Sequence, residues 1–223
     1  MRTGYGASLT VGRARSMSSL LLAATALTAL SVRGASVAPV PPDPATLDVT
    51  ALISNVCSEC HGVTGVSAAA LFPNLAGQVP AYIEGELKLF RQRGRNDPRA
   101  RAFMWGVARG LTDEQIKGVA RQFSSEAPAR GTASRDTALA ARGKVLYDNG
   151  AVQRDIEACT VCHGHDGEGV NANPRVAGQH QDYLLTAMLQ FRSRLRENRL
   201  MQDVARNLTD AEIAALVAYV SSK

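Results

Sequence analysis

The sequence predicts an all-α protein built as two tandem domains, each of about four helices. Three observations carry this reading. The two halves of the chain repeat one another, so one small unit has been used twice. The clearest segments place apolar residues at helical spacing behind side chains suited to capping a helix start. No segment of useful length alternates apolar and polar residues as a strand would.

The N-terminus carries Arg2, Arg13 and Arg15, then an apolar run from Leu20 to Val32. The run is too short to span a bilayer as a helix and suits the core of an export leader. Ser36-Val37-Ala38 offers a cleavage site, with Ala35 as the alternative, so residues 1–38 read as a signal peptide. No Arg-Arg pair precedes the run, so a twin-arginine route is not supported. An uncleaved leader would be a membrane anchor, and either way the folded part lies outside the cytoplasm, in the periplasm. The formal charge of +5 belongs mostly to this leader. Without its four Arg the chain keeps 21 basic and 20 acidic side chains, and so near-neutral a body gives no argument for nucleic acid.

After an extended Pro39–Pro44 leader, the first domain (residues 39–123) opens with a short helix over Val49–Asn55. A middle helix over Pro80–Arg93 sets Ile83, Leu87 and Phe90 on one side. Thr112 starts the last helix in a capping box with Gln115, and Leu111 staples to Ile116. Residues 124–136 form a polar linker rich in helix breakers. The second domain (137–223) follows the same plan. It has helices over Thr137–Asp148 and Gln181–Arg194, and a last helix begun by Thr209 and Glu212 with Leu208 stapled to Ile213. In that last helix Ile213, Leu216, Val217 and Val220 share one apolar face.

The repeat can be followed residue by residue. Pro73-Asn74-Leu75-Ala76-Gly77-Gln78 answers Pro174-Arg175-Val176-Ala177-Gly178-Gln179. Tyr82 answers Tyr183, Phe90-Arg91 answers Phe191-Arg192, Arg95 answers Arg196, and Leu111-Thr112-Asp113 answers Leu208-Thr209-Asp210. The offset falls from 102 at the cysteines to 97 at Met104 and Met201, which places extra residues in the first copy around Asn96–Ala102.

Each copy also holds one Cys-x-x-Cys-His motif, Cys57-Ser58-Glu59-Cys60-His61 and Cys159-Thr160-Val161-Cys162-His163. This is the attachment signature of c-type haem. Two thiols three positions apart each add to one vinyl group, and the adjacent His reaches the iron from the same side. The motifs use all four cysteines of the chain. A thioredoxin-like pair needs no His after it, a zinc ribbon wants its pairs about 15–20 residues apart, and two structural disulfides would leave both histidines unexplained. The reading is therefore two covalently bound haem c groups, attached at Cys57, Cys60, Cys159 and Cys162, with His61 and His163 on the iron. An apolar haem also gives a domain of roughly 85 residues the core that its few aromatics cannot supply.

An electron-carrying haem needs a sixth ligand, and a soft thioether favours ferrous iron. Met104 and Met201 occupy matching positions, seven residues before Leu111 and Leu208, in what reads as irregular chain before a capped helix. Met188 has no methionine counterpart and reads as filler, while His165 and His180 read as surface residues. The free ring N–H of each ligand His should go to a carbonyl, with Pro73 and Pro174 the candidates. The clusters Arg91, Arg93, Arg95, Arg99, Arg101 and Arg192, Arg194, Arg196, Arg199 would dock an acidic redox partner or form a solvated face that neutralises haem propionates.

From Val49 to the C-terminus the chain resembles the dihaem cytochrome c4 family of class I c-type cytochromes. The matching residues are the two Cys motifs, the Pro-x-x-Ala-Gly-Gln loops and the Met-x6-Leu-Thr-Asp stretches. The resemblance implies two cytochrome c folds packed face to face, with propionates near the contact and Tyr82 and Tyr183 bonded to them. It also implies a periplasmic electron carrier, not an enzyme, serving a terminal oxidase. The first copy lacks the Asp of His163-Gly164-His165-Asp166-Gly167 and has Trp105 after Met104, so the two haem environments should differ. The alternative is the cytochrome subunit of a dehydrogenase, such as a sulfide-oxidising flavocytochrome. A peroxidase or thiosulfate-oxidising haem enzyme would need an open sixth site, against which Met104 and Met201 argue. Partners are thus redox proteins, a membrane oxidase or dehydrogenase complex, with the membrane surface as a further place of association.

Overall fold

The computed structural model describes residues 44–223. The leader and its cleavage site lie outside them. Among the described residues the regular structure is helical, apart from one isolated antiparallel bridge between Ala151 and Ile156. Both repeats belong to one compact unit.

In the first repeat, Asp48 caps α1 (Val49–Leu52) by accepting from the Ala51 N–H at 2.8 Å. The helix runs on through a π-helical turn, Ile53–Cys57, into α2 (Ser58–His61). The opening helix is therefore longer than expected and carries the whole Cys motif. Next come α3 (Pro80–Arg91), with Pro80 at its start, a second π-helical turn at Ala100–Met104, α4 (Trp105–Ala108) and α5 (Asp113–Ser125). The second repeat has α6 (Thr137–Asn149), α7 (Thr160–His163), α8 (Gln181–Arg192), α9 (Arg199–Asn207) and α10 (Asp210–Val220). Both capping boxes form as expected, at Thr112–Gln115 and Thr209–Glu212.

The repeated Leu-Thr-Asp stretch has a second use. Arg91 on α3 donates to the Leu111 carbonyl at 2.8 Å and pairs with Asp113 at 2.6 Å. Arg192 on α8 donates to the Leu208 carbonyl at 2.8 Å and pairs with Asp210. In each repeat the Leu carbonyl and the Asp carboxylate fasten the middle helix to the start of the last one. Leu52, Ile83, Leu87, Phe90, Ile116 and Phe123 bury together in the first repeat, and Tyr147, Ile213, Leu216, Val217 and Val220 in the second.

The expectation of a single apolar face on α10 was too narrow. Ala215, Ala218 and Tyr219 are buried as well, because α6 packs on that side. Gly143 permits the approach, since a Cβ there would overlap the Ala215 carbonyl oxygen. The corresponding crossing in the first repeat has its glycine on the other helix: Gly118, the counterpart of Ala215, faces the Val49 side chain.

The extra residues of the first copy are also located. Asp97 caps the Ala100 N–H at 3.1 Å, and its counterpart Asn198 caps the Met201 N–H at 3.0 Å. Beyond the same cap, the first repeat spends its added residues on the π-helical turn that ends in Met104. Met104 and Met201 thus stand in helical turns, not in irregular chain. A cap followed directly by hydrogen-bonded turns leaves no room for the expected loop.

The repeats meet through their Ala-Gly-Gln loops. Asn74 donates through Nδ2 to the Gly178 carbonyl at 3.0 Å, while Gln78 and Gln179 cross to the opposite loops. His180, expected at the surface, is half-buried. Its Nε2 lies 3.1 Å from the Ser67 carbonyl, on the contact between repeats.

Candidate functional site

The local fold sets each motif histidine before any cofactor is considered. His61 ends α2 and His163 ends α7. Nδ1 of His61 is 2.9 Å from the Pro73 carbonyl, and Nδ1 of His163 is 2.8 Å from that of Pro174. A carbonyl only accepts, so Nδ1 carries the proton in both rings and the Nε2 lone pair is left for a metal. Burial holds both imidazoles below the ordinary histidine value, which keeps them neutral at pH 7. The same turns hold the cysteines, none of which is disulfide-bonded. Burial pushes the Cys57 and Cys159 thiols up to about 11, the opposite of what a disulfide-exchange pair requires.

In the first repeat these groups open onto one cavity. Cys57, Cys60 and His61 line it, and so does Met104. Apolar side chains such as Leu75, Leu87, Phe90 and Val119 form much of the rest. The second repeat contributes Tyr183, Thr186, Ala187 and Gln190 of α8, so the site is closed by the other half of the chain. In the second repeat Met201 packs against the cluster of Ala187, Phe191 and Ala205, as does Met188. Met188 also touches the main core of that repeat, in keeping with a filler role. His165 is exposed.

A buried polar cluster lies where the repeats join. Arg95 and Arg196 are 8% and 5% exposed, and each lies over the phenylalanine of its own middle helix, Phe90 at 4.8 Å and Phe191 at 4.7 Å. Both pair with Glu86, Arg196 at 3.3 Å. Arg95 also pairs with the wholly buried Asp97 at 2.7 Å. Arg196 donates to the Tyr82 hydroxyl at 2.6 Å, and Gln190 donates to Asp97 at 3.3 Å. Burial works against the Glu86 carboxylate, but Arg196 and Arg95 outweigh it and hold the group below the usual carboxylate range. The cluster balances two cations with two anions, the arrangement that buried charge demands. Of the arginines expected in docking clusters, Arg95 and Arg196 are therefore fasteners inside the fold, while the half-buried Arg91 and Arg192 fasten helix to helix nearer the surface. Sequence reasoning missed Glu86, Asp97 and Gln190. Glu86 breaks the repeat, since Ala187 stands at its matching position, and that mismatch was the available signal.

The sequence profile described as cytochrome c matches residues 48–121 and again 140–223. The chain belongs to the cytochrome c family. Within it, the chain is 35% identical over 173 residues to a cytochrome c4 of Thiocapsa roseopersicina, covering 75% of this chain and 86% of the relative. It is 35% identical to the thiosulfate dehydrogenase electron acceptor of Stutzerimonas stutzeri, over 74% of this chain and 78% of that one. The solved cytochrome c4 of Acidithiobacillus ferrooxidans superposes with a TM-score of 0.70 at 35% identity, over 75% of this chain and 98% of that structure. As a cytochrome of this kind the chain is an electron carrier and not an enzyme.

Covalent haem c is the cofactor of the family, and the first cavity fits it. An apolar wall suits the porphyrin plate, paired thiols stand beside a neutral imidazole with its Nε2 lone pair free, and a thioether shares the space. Arg95, Tyr82 and Tyr183 line the same cavity and suit carboxylate substituents. When bound, haem supplies a one-electron iron couple whose potential follows its axial ligands and the surrounding charge.

Proposed function

We propose that this chain is a periplasmic dihaem c-type cytochrome that carries electrons in a respiratory chain towards a terminal oxidase. One observation carries the reading. Both repeats hold a Cys-x-x-Cys-His turn whose histidine gives Nδ1–H to a proline carbonyl, at 2.9 and 2.8 Å, and so keeps Nε2 for iron. Cys57 and Cys60 attach one haem, and Cys159 and Cys162 the other. His61 with Met104, and His163 with Met201, complete the two irons. Neutral nitrogen and soft sulfur ligands stabilise ferrous iron, and two filled axial positions leave no place for substrate. The export leader supports a periplasmic location. Arg93, Arg101, Arg194 and Arg199 remain exposed and support docking to an acidic redox partner.

A second reading concerns the donor. Relatives of similar identity are named thiosulfate dehydrogenase electron acceptors, which favours a role as the cytochrome partner of a dehydrogenase. The two roles need the same pair of haems and differ only in the partner.

An optical and redox titration of the matured protein, with intact mass, tests the proposal. Two haem additions, low-spin spectra, a near-infrared methionine–iron band and two one-electron steps are expected. A single haem, or high-spin ferric iron at rest, would overturn it. Reduction by a purified thiosulfate dehydrogenase with thiosulfate, set against oxidation by a purified terminal oxidase, separates the partners.

A further inference from the structure

Trp105 had no explanation in the repeat, since its counterpart is Gln202. The structure gives the two residues one bond. The Trp105 indole Nε1–H donates to the Arg95 carbonyl at 2.8 Å. The Gln202 Nε2–H donates to the Arg196 carbonyl at 3.0 Å. Arg95 and Arg196 are themselves repeat partners, and each donor directly follows its repeat's methionine. We propose that Trp105 and Gln202 are positioning residues that hold Met104 and Met201 on the iron by tying the methionine turn to the backbone of a buried arginine.

The acceptor is a fixed point in both repeats. Each arginine is buried over a phenylalanine and bound to Glu86, so its carbonyl does not wander. Between acceptor and donor the repeats differ in length. The bond spans ten residues in the first copy and six in the second. The four added residues are taken up by the π-helical turn Ala100–Met104, and the bond returns the chain to the same anchor beyond it. An indole and a carboxamide share little shape. They share an N–H donor, which is what the arrangement uses.

The two clamps should matter unequally. The Met201 N–H is also held by Asn198 at 3.0 Å, in the first turn of α9. The matching cap in the first repeat, Asp97, holds Ala100 instead, four positions before Met104. Met104 therefore leans more heavily on Trp105 than Met201 does on Gln202.

The proposal rests on the reading that both methionines are ligands, and the experiment separates the two. Matured full-length protein is compared as parent, Trp105→Phe, Trp105→Gln and Gln202→Leu. The readouts are the near-infrared methionine band, the potential of each haem, and imidazole binding to the ferric protein, which competes with the thioether. Trp105→Phe should raise apparent imidazole affinity at the first haem about fivefold, the worth of one ordinary hydrogen bond, and leave the second haem alone. Trp105→Gln should recover most of the loss, because it restores the donor. Gln202→Leu should act at the second haem only, and more weakly. If Trp105→Phe keeps the parent's imidazole affinity, or Trp105→Gln does no better than Trp105→Phe, the N–H donor is not what holds Met104 and the proposal fails. Gln202→Leu carries the same test should Trp105→Phe fail to mature, and an unmoved second haem would then overturn it. Met104→Ala and Met201→Ala, in the same assay, must each abolish half of the near-infrared band. A retained band would sink the ligand reading itself, whatever the clamps do.

Discussion

Gln78 and Gln179 each bind the backbone of the other's loop. Gln78 accepts from the Arg175 N–H at 2.7 Å and donates to the Arg175 carbonyl at 3.0 Å. Gln179 accepts from the Asn74 N–H at 2.8 Å and donates to the Asn74 carbonyl at 3.0 Å. Asn74 and Arg175 are repeat partners, so the exchange is the self-complementary pattern of a two-fold dimer made within one chain. The amide needs both its donor and its acceptor, which explains a glutamine at this position in both copies.

Gln78→Ala or Gln179→Ala should therefore cost about 1–3 kcal/mol, because a buried N–H and carbonyl lose their partners together. In denaturant the double variant should unfold its halves in separate steps, followed by haem absorbance and far-ultraviolet dichroism. One transition at an unchanged midpoint would show that the exchange contributes nothing to the contact.

Met201→Ala should remove half of the near-infrared methionine band and lower the potential of the second haem, since loss of the thioether favours ferric iron. The first haem should shift only slightly. An unchanged spectrum would mean that another group binds that iron. His180 would be a poor substitute, because its Nε2 already faces the Ser67 carbonyl at 3.1 Å.

Glu212 gives a pH signature. Arg154 holds its carboxylate at 3.0 and 2.6 Å and the Thr209 N–H adds a bond at 2.8 Å, which brings the group to about 2. A folded value below the unfolded one, about 4.3, stabilises the protein above the unfolded value. That contribution drains away as pH falls from about 4 towards 2. Glu212→Gln should destabilise at pH 7 and be nearly neutral at the acid end. Added salt should shrink the difference, because the side chain still reaches water. An equal loss at both ends of the pH range would refute the ionic account.

Gly143→Ala should cost about 1–3 kcal/mol by forcing α6 away from α10, since the obstacle is the backbone oxygen of Ala215. Gly118→Ala meets only the Val49 side chain, which can turn aside, so it should cost less. Thermal melts of the two variants side by side decide this, and a reversed order would contradict the crossing described here.

The sequence by itself determined what is local or covalent. A Cys-x-x-Cys-His turn needs only five consecutive residues, a capping box four, and the repeat is visible by comparison alone. The carbonyls of Pro73 and Pro174 were also within reach, because a ligand histidine must pass its second N–H to a near acceptor. Only the tertiary structure decided what depends on contacts between distant residues. The joining of Glu86 to Arg196, the use of α8 of one repeat to close the cavity of the other, and the crossed glutamines all link residues about a hundred positions apart. Charge spacing alone made the arginines look like a docking face. Burial against phenylalanine and carboxylate made Arg95 and Arg196 internal, and the Leu111 and Leu208 carbonyls with Asp113 and Asp210 tied down Arg91 and Arg192. The methionine turns were misjudged for a different reason: their caps, Asp97 and Asn198, and the π-helical turn after the first are local, but no apolar periodicity marks them. Local sequence fixes a turn when its own hydrogen bonds suffice, and where the partners lie a hundred residues away only the packed fold can select them.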